Sequence, residues 1–346
     1  MKQRTYSAKT AEDLSAALAE IAASDNYRKA SEVFVHILTN FLTREESADV
    51  LARVKKGLPR ARTIGVSCDE KKKEKSIRLS VRFFQSSTVE VREYGPEENF
   101  AALGEKIAGE LSAHPEIRGV ELYYGGCVIE LEKFLAAASA GHEDVPFFGV
   151  ETQMVNLEPY SGRTGKNYFQ ELAAGFGPSL IIGDTVRDLG MTLAFYKGDD
   201  LHIKADAIFG WKPLGRELTV TKTEDDIVVA RINDMPATKI YHKYLQVTPD
   251  EYFLLNICEF PLVFQRGDRF IPRAPKMYDE QHRLYFGGRV HKGDRFRLTY
   301  GNSTDIFYNT YMEGQRRDAP FRSGMRRADS LHEPHGFLEG KRALRD

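Results

Sequence analysis

Two short segments carry residue types suited to holding a small molecule. Ser67-Cys68-Asp69-Glu70 leaves a run that reads as a buried strand, Thr63 to Cys68, and places a hydroxyl, a thiol and two carboxylates at its end. Gly125-Gly126-Cys127 leaves a second strand-like run, Leu122-Tyr123-Tyr124, and leads into a helical pattern from Ile129. In open α/β sheets, ligands sit beyond the carboxyl ends of strands. Paired glycines admit a close backbone approach, and the free N–H groups that open the next helix suit a carboxylate. The plainer reading of Gly125 and Gly126 is a tight strand-to-helix turn. No phosphate-loop lysine lies nearby, so a nucleotide is not expected there. A third candidate is Trp211-Lys212, the single tryptophan in a corner framed by Gly210, Pro213 and Gly215. It reads either as a pocket wall with Lys212 or Arg216 at its rim, or as a packing plug.

Groups for catalysis and metal binding are sparser. Ser67 with a distant histidine, or the pair Asp225-Asp226, are the available starting points, and Asp225-Asp226 resembles a turn between strands. No Gly-x-Ser-x-Gly elbow is present. Cys68 has acidic neighbours and no adjacent histidine, which disfavours a thiolate, and reads as an inert small residue. The three cysteines, Cys68, Cys127 and Cys258, are widely spaced without a Cys-x-x-Cys pair, which fits a reduced cytosolic protein. Among nine histidines there is no His-x-x-x-His pair, and His332 and His335 read as solvated.

The elements that position these residues follow from hydrophobic period. Ala11 to Ala23 is a helix capped by Thr10 with Leu14, Leu18 and Ile21 inward. Ser31 to Leu38 is an apolar strand, and Thr43 caps a second helix with the stripe Val50, Leu51 and Val54. Ser76 to Glu93 makes two strands, and Lys71-Lys72-Lys73-Glu74-Lys75 before them reads as a solvated hairpin loop. A helix over Glu97 to Ala113, a strand over Val120 to Tyr124 and a helix over Ile129 to Ala138 complete an α/β half. From about Ser179 short strands dominate, including His202 to Ala205, joined to Met191 to Phe195 by a hairpin at Gly198-Asp199-Asp200. A single helix follows at Thr238 to Leu245, with Ile240, Tyr244 and Leu245 inward. This second half is mixed α+β. Phe148 to Pro178 is long and weakly periodic, either a pocket cover or an insertion.

Composition narrows the function classes. A chain of 346 residues is long enough for two domains, and 42% hydrophobic with 29% charged residues is globular. The net charge of −1 offers no field for nucleic acid or an anionic membrane. No run reaches the roughly 18 apolar residues of a membrane helix, and Met1 to Ser7 is polar, so a cytoplasmic location is expected.

Further motifs occur in a particular order: Phe34 to Phe41, Thr63 to Cys68, Phe134-Leu135 and Pro146 to Gly149, then Gly210 to Gly215, Val220-Thr221-Lys222 and Pro236-Ala237. Tyr241, Tyr244-Leu245, Phe260-Pro261-Leu262, Gly293 to Leu298 and Tyr300-Gly301-Asn302 continue it. In that order and spacing, from about Val33 to Ile306, the chain resembles the FIST family of bacterial sensory domains. Cys68 departs from the family, which commonly has threonine there. The resemblance implies a FIST N-type sensory domain over 28–208 and a FIST C-type domain over 209–314. The match stops after Asp305-Ile306 where the family continues with a long helix and a further strand, so the second domain is expected to be incomplete. Residues 315–346 read as a polar, disordered tail, left by a truncated or frame-altered end or native to an unusual member.

The function implied is a ligand-binding signal input, with an amino acid or related metabolite as ligand and no cofactor. Its outputs in the family include diguanylate cyclases, histidine kinases and chemotaxis transducers. Ligand-binding residues expected are Ser67, Cys68, Gly125, Gly126, Trp211 and Lys212. The first alternative is a haem-binding nitric oxide sensor, with His36, His202 or His242 as the iron ligand. The second is an enzyme.

Overall fold

Strand β2 (Glu32–Asn40) sets the architecture, because it is apolar on both faces. Its odd residues Val33, Val35 and Ile37 join one core and Phe34 joins another, as the two-residue period of a strand requires. A strand buried on both faces has layers on both sides. The computed structural model describes residues 1–68, 74–96, 98–125, 128–152, 180–205, 211–250, 253–257, 260–266, 269–301, 304, 306–308 and 311–312.

Two sheets stack in the first part of the chain. One has six strands in the order β1 (Lys2–Ala8), β4 (Ser76–Phe84), β2, β3 (Ala61–Cys68), β8 (Leu180–Ile182) and β9 (Val186–Arg187). The other has four, in the order β5 (Thr88–Tyr94), β10 (Gly190–Lys197), β6 (Ile117–Gly125) and β7 (Phe147–Glu151). Phe34, Ile64, Phe84, Tyr123, Ala194 and Tyr196 form the apolar filling between the sheets.

Helices cover the outer faces. α1 (Ala11–Ala23), α2 (Asp25–Lys29) and α3 (Arg44–Gly57) lie on the six-stranded sheet, with Leu14, Leu18, Ile21, Val50, Leu51 and Val54 buried as the periodicity predicts. Thr10 and Thr43 each close a capping box with the acidic residue three positions on. α4 (Phe100–Ala113) and α5 (Val128–Ala138) cover the four-stranded sheet through Leu103, Ile107 and Phe134. Gly104 lets them close up, since a Cβ there would stand 2.6 Å from the Phe134 carbonyl oxygen and 2.7 Å from Ala137 Cβ. The layers therefore run helix, sheet, sheet, helix.

A third sheet of eight strands follows. Its path runs β15 (Arg269–Arg273), β14 (Leu262–Arg266), β18 (Arg295–Tyr300), β11 (Lys212–Asp225), β12 (Val228–Ile232), β17 (Leu284–Phe286) and β16 (Pro275–Tyr278), with β13 (Met235–Pro236) paired to β12. α6 (Lys239–Leu245) and α7 (Phe253–Ile257) pack on it. The fold is mixed α/β, as expected. Among the described residues, those up to Ala205 and from Pro213 to Thr299 form one compact unit, and Trp211, Lys212, Tyr300 and those after it fall in another. No helix among the described residues is long and apolar enough to cross a membrane.

Several sequence readings are corrected. β3 and β4 are not a hairpin, because β2 lies between them in the sheet; Asn40 pairs with both Cys68 and Ser76. The residues Lys71 to Lys73 of that connection lie outside the described part. His202 to Ala205 is not a strand; Ile203 instead packs beside Gly119, where a Cβ would come within 3.0 Å of its Cδ1. The corner at Pro213 and Gly215 is part of a single 14-residue strand, β11. On α6 the fully buried aromatic is Tyr241, with Tyr244 only half-buried. β1, α2 and α7 were not expected. The segment 153–179 and the tail 315–346 lie outside the described residues.

Candidate functional site

Parallel pairing aligns the strand ends. β2 and β3 run together in the register His36 to Ile64 and Asn40 to Cys68, and β6 runs with β7 in the register Tyr124 to Glu151. β8 joins the two pairs: Ser67 sits opposite Leu180, and a Cβ on Gly125 would lie 3.3 Å from Ile181 Cδ1. The same Cβ would stand 2.5 Å from the Asp188 carbonyl oxygen and 3.2 Å from Thr152 Oγ1. A side chain at 125 would therefore collide with backbone, which is why glycine occupies the position. Thr152, just past β7, donates both its backbone N–H (2.7 Å) and its hydroxyl (3.2 Å) to the Tyr124 carbonyl, tying the β7 end to the β6 end. Ser67 is 2% exposed. Backbone groups and a small side chain thus meet at Gly125 and Thr152, where β6 and β7 end, beside Ile181 of β8.

Of the expected ligand-binding residues, Gly125 lies here; Ser67 ends the neighbouring strand, but its side chain takes the helix-covered face, because Ile64 and Val66 take the face between the sheets. Cys68 is the last residue of β3, and a role for its side chain lies outside what is described; so do Gly126, Cys127, Asp69 and Glu70. Trp211 and Lys212 belong to the other compact unit, the tryptophan half-buried and the lysine exposed at the start of β11. Asp225 and Asp226 lie at the turn between β11 and β12, as their sequence suggests.

Between the sheets, sequence reasoning missed a polar cluster. His36 Nε2 lies 2.9 Å from both carboxylate oxygens of Glu121, which is 6% exposed. The Tyr196 hydroxyl donates to Glu121 Oε2 at 2.5 Å, Arg82 donates to the Tyr196 oxygen at 2.5 Å, and the Arg82 guanidinium stands 3.6 Å from Glu121 Oε2. Burial pushes the Glu121 carboxyl upward, yet the hydrogen bond and charge of His36, the Tyr196 hydroxyl and the Arg82 charge hold it below its ordinary value. Burial and the adjacent carboxylate raise the Tyr196 hydroxyl. The available signal was a single polar residue inside each of two apolar runs, Val33 to Leu38 and Val120 to Tyr124. Their pairing, 85 residues apart, was not visible.

This cluster bears on the haem alternative. Haem iron takes a nitrogen lone pair at the wall of an apolar slot. The His36 ring is enclosed between the sheets, 5% exposed, with Nε2 on Glu121, Nδ1 buried and Phe34 edge-on at a ring-centroid distance of 4.6 Å, so neither nitrogen faces an open slot. His202 and His242 are exposed. These three residues do not fit the group.

A separate groove of about 370 Å³ opens between α1 and α3, floored by Leu14, Leu42, Val50 and Ile77. Charges at its rim are cross-paired, Lys75 with Glu46 and Arg53 with Asp49. It lies on the helix-covered face of the six-stranded sheet, apart from the meeting of β3 and β6.

Comparison with protein-family models matches residues 34–235, more than half of the chain, to the FIST N domain. Comparison with curated proteins finds no match. The matched stretch contains Ser67, Gly125, His36, Glu121 and Tyr196, and it ends within the third sheet.

Proposed function

Because the chain belongs to the FIST family, small-ligand sensory domains of signalling proteins, we propose that it binds a metabolite at the carboxyl ends of β3, β6 and β7 and passes the bound state to a signalling output. The observation that carries this reading is the meeting of Gly125 and Thr152 at the ends of β6 and β7, where backbone groups and a small polar side chain converge beside Ile181 of β8. Backbone donors suit a ligand with a carboxylate, and the apolar residues beside them suit an uncharged side chain, which together favour an amino acid or a near relative. The chain acts in the cytoplasm as an input module and not as an enzyme. Its output is a diguanylate cyclase, a histidine kinase or a chemotaxis transducer. Residues 209–314 make the FIST C-type part.

A thermal-shift screen of amino acids and related metabolites tests the reading. A ligand at about 100 times its Kd stabilises the native state by about 2.7 kcal/mol. At about 2 °C per kcal/mol for a chain of this size, the melting temperature rises by about 5 °C. The rise should vanish in Gly125→Leu, whose side chain fills the meeting point. A flat screen, or a rise of equal size in Gly125→Leu, contradicts the proposed site.

A further inference from the structure

One carboxylate of α5 reaches the third sheet directly. Glu132 lies in the early part of α5, the helix that follows the β6 turn. Its Oε1 accepts from Arg273 Nη2 at 3.0 Å and from the Arg289 backbone N–H at 3.2 Å. Oε2 accepts from the same N–H at 3.3 Å and has Arg289 Nε at 3.5 Å. Arg273 ends β15 and Arg289 follows β17, so both belong to the third sheet and lie outside the stretch matched to the family. A Cβ on Gly288 would come within 2.5 Å of the Arg273 guanidinium carbon, so the loop before Arg289 seats directly against Arg273.

The second connection to the strand ends enters from β7. Glu151, at the end of that strand, lies in the field of Lys276 and Arg273. Glu132 thus holds Arg273 and Arg289 directly, Glu151 adds its charge nearby, and both acids stand on elements tied to the end of β6. Thr152 clamps β7 to Tyr124, and α5 starts beyond Gly125. A carboxylate holding a backbone N–H as well as a guanidinium responds to small displacements, because the backbone bond fixes direction as well as distance.

We propose that Glu132 is the positioning residue that couples the ends of β6 and β7 to the Arg273–Arg289 face of the third sheet. This rests on the reading that ligand acts at those strand ends. A ligand seated there shifts the start of α5, moves the Glu132 carboxylate relative to the two arginines, and so changes the order of residues 284–290. Ligand controls that order only through its differential affinity for the two arrangements.

The test needs no ligand, so its failure is distinct from failure of the metabolite screen. Amide hydrogen exchange is followed in the full chain for wild type, Thr152→Val, Glu132→Gln and the double variant. Thr152→Val removes the hydroxyl's bond to Tyr124 while keeping its shape, and Glu132→Gln keeps an acceptor, so both are mild enough to leave the fold in place. Thr152→Val should speed exchange at 284–290 by about two-fold or more, and Glu132→Gln should speed it as well. In the Glu132→Gln background the threonine change should add nothing. An unchanged rate in Thr152→Val, or the same increment with and without Glu132, overturns the proposal. A merely structural role for Glu132 gives that additive result.

Discussion

Replacing Glu121 by alanine removes the acceptor on which His36, Tyr196 and Arg82 converge. His36 already has its Nδ1 buried without a partner, so the substitution leaves the ring with no hydrogen bond on either nitrogen. Breaking a buried ion pair by deleting one member costs about 3–5 kcal/mol. Glu121→Gln keeps the shape and one acceptor but turns an amide donor toward other donors, and should cost about 1–3 kcal/mol. The double change His36→Phe with Glu121→Leu replaces the pair by apolar volume and should fall within about 2 kcal/mol of wild type. With Glu121→Leu and His36→Phe each measured alone, the sum of those two losses should exceed the double loss by about 2 kcal/mol or more, the sign of direct coupling. Urea denaturation followed by far-ultraviolet circular dichroism at pH 7.5 gives these values from midpoint and slope. A Glu121→Ala protein as stable as wild type, or single losses that simply add, would refute the claim that this cluster joins the two sheets.

The same carboxylate makes stability depend on pH. Its folded pKa lies below its unfolded value of about 4.3, so its contribution is present above that pH and lost as pH falls through the folded pKa. The stability gap between wild type and Glu121→Gln should be widest near neutrality and close in acid, read from urea midpoints between about pH 3 and pH 7. Gly104→Leu places a side chain where even a Cβ meets the Phe134 carbonyl at 2.6 Å, and should lose about 1–3 kcal/mol by overpacking α4 on α5, measured by the same denaturation. Thr43→Ala removes the hydroxyl that accepts from the Glu46 N–H at the start of α3 and should cost about 1 kcal/mol, with a melting temperature lowered accordingly.

What the sequence discloses depends on how local the cause is. α1 and α3 are legible because a capping threonine, an acid three residues on and a 3.6-residue stripe lie within one short stretch. β1 is not, since it is a sheet edge exposed over most of its length and shows no apolar alternation. The order β4-β2-β3 is also illegible: consecutive strands tempt a hairpin reading, and only long-range pairing inserts β2 between them. α6 is barely two turns long, too short to decide between Tyr241 and Tyr244 by period. At the candidate site, Gly125 and Ser67 are visible as small residues ending apolar strands. The Glu121–His36 pair and the Glu132–Arg273 pair join residues 85 and 141 positions apart, which no local pattern can reveal. Trp211 drew notice by being the only tryptophan, and composition alone did not say which compact unit holds it.

The most direct test of the ligand site is an amide-exchange footprint of the full chain with the metabolite that gives the largest thermal shift. Protection should concentrate in residues 64–68, 120–125 and 180–190, the strands and turn that close around Gly125. Protection centred instead on residues 9–14 and 42–53, which line the groove between α1 and α3, would contradict that site and move ligand binding to the other face of the six-stranded sheet.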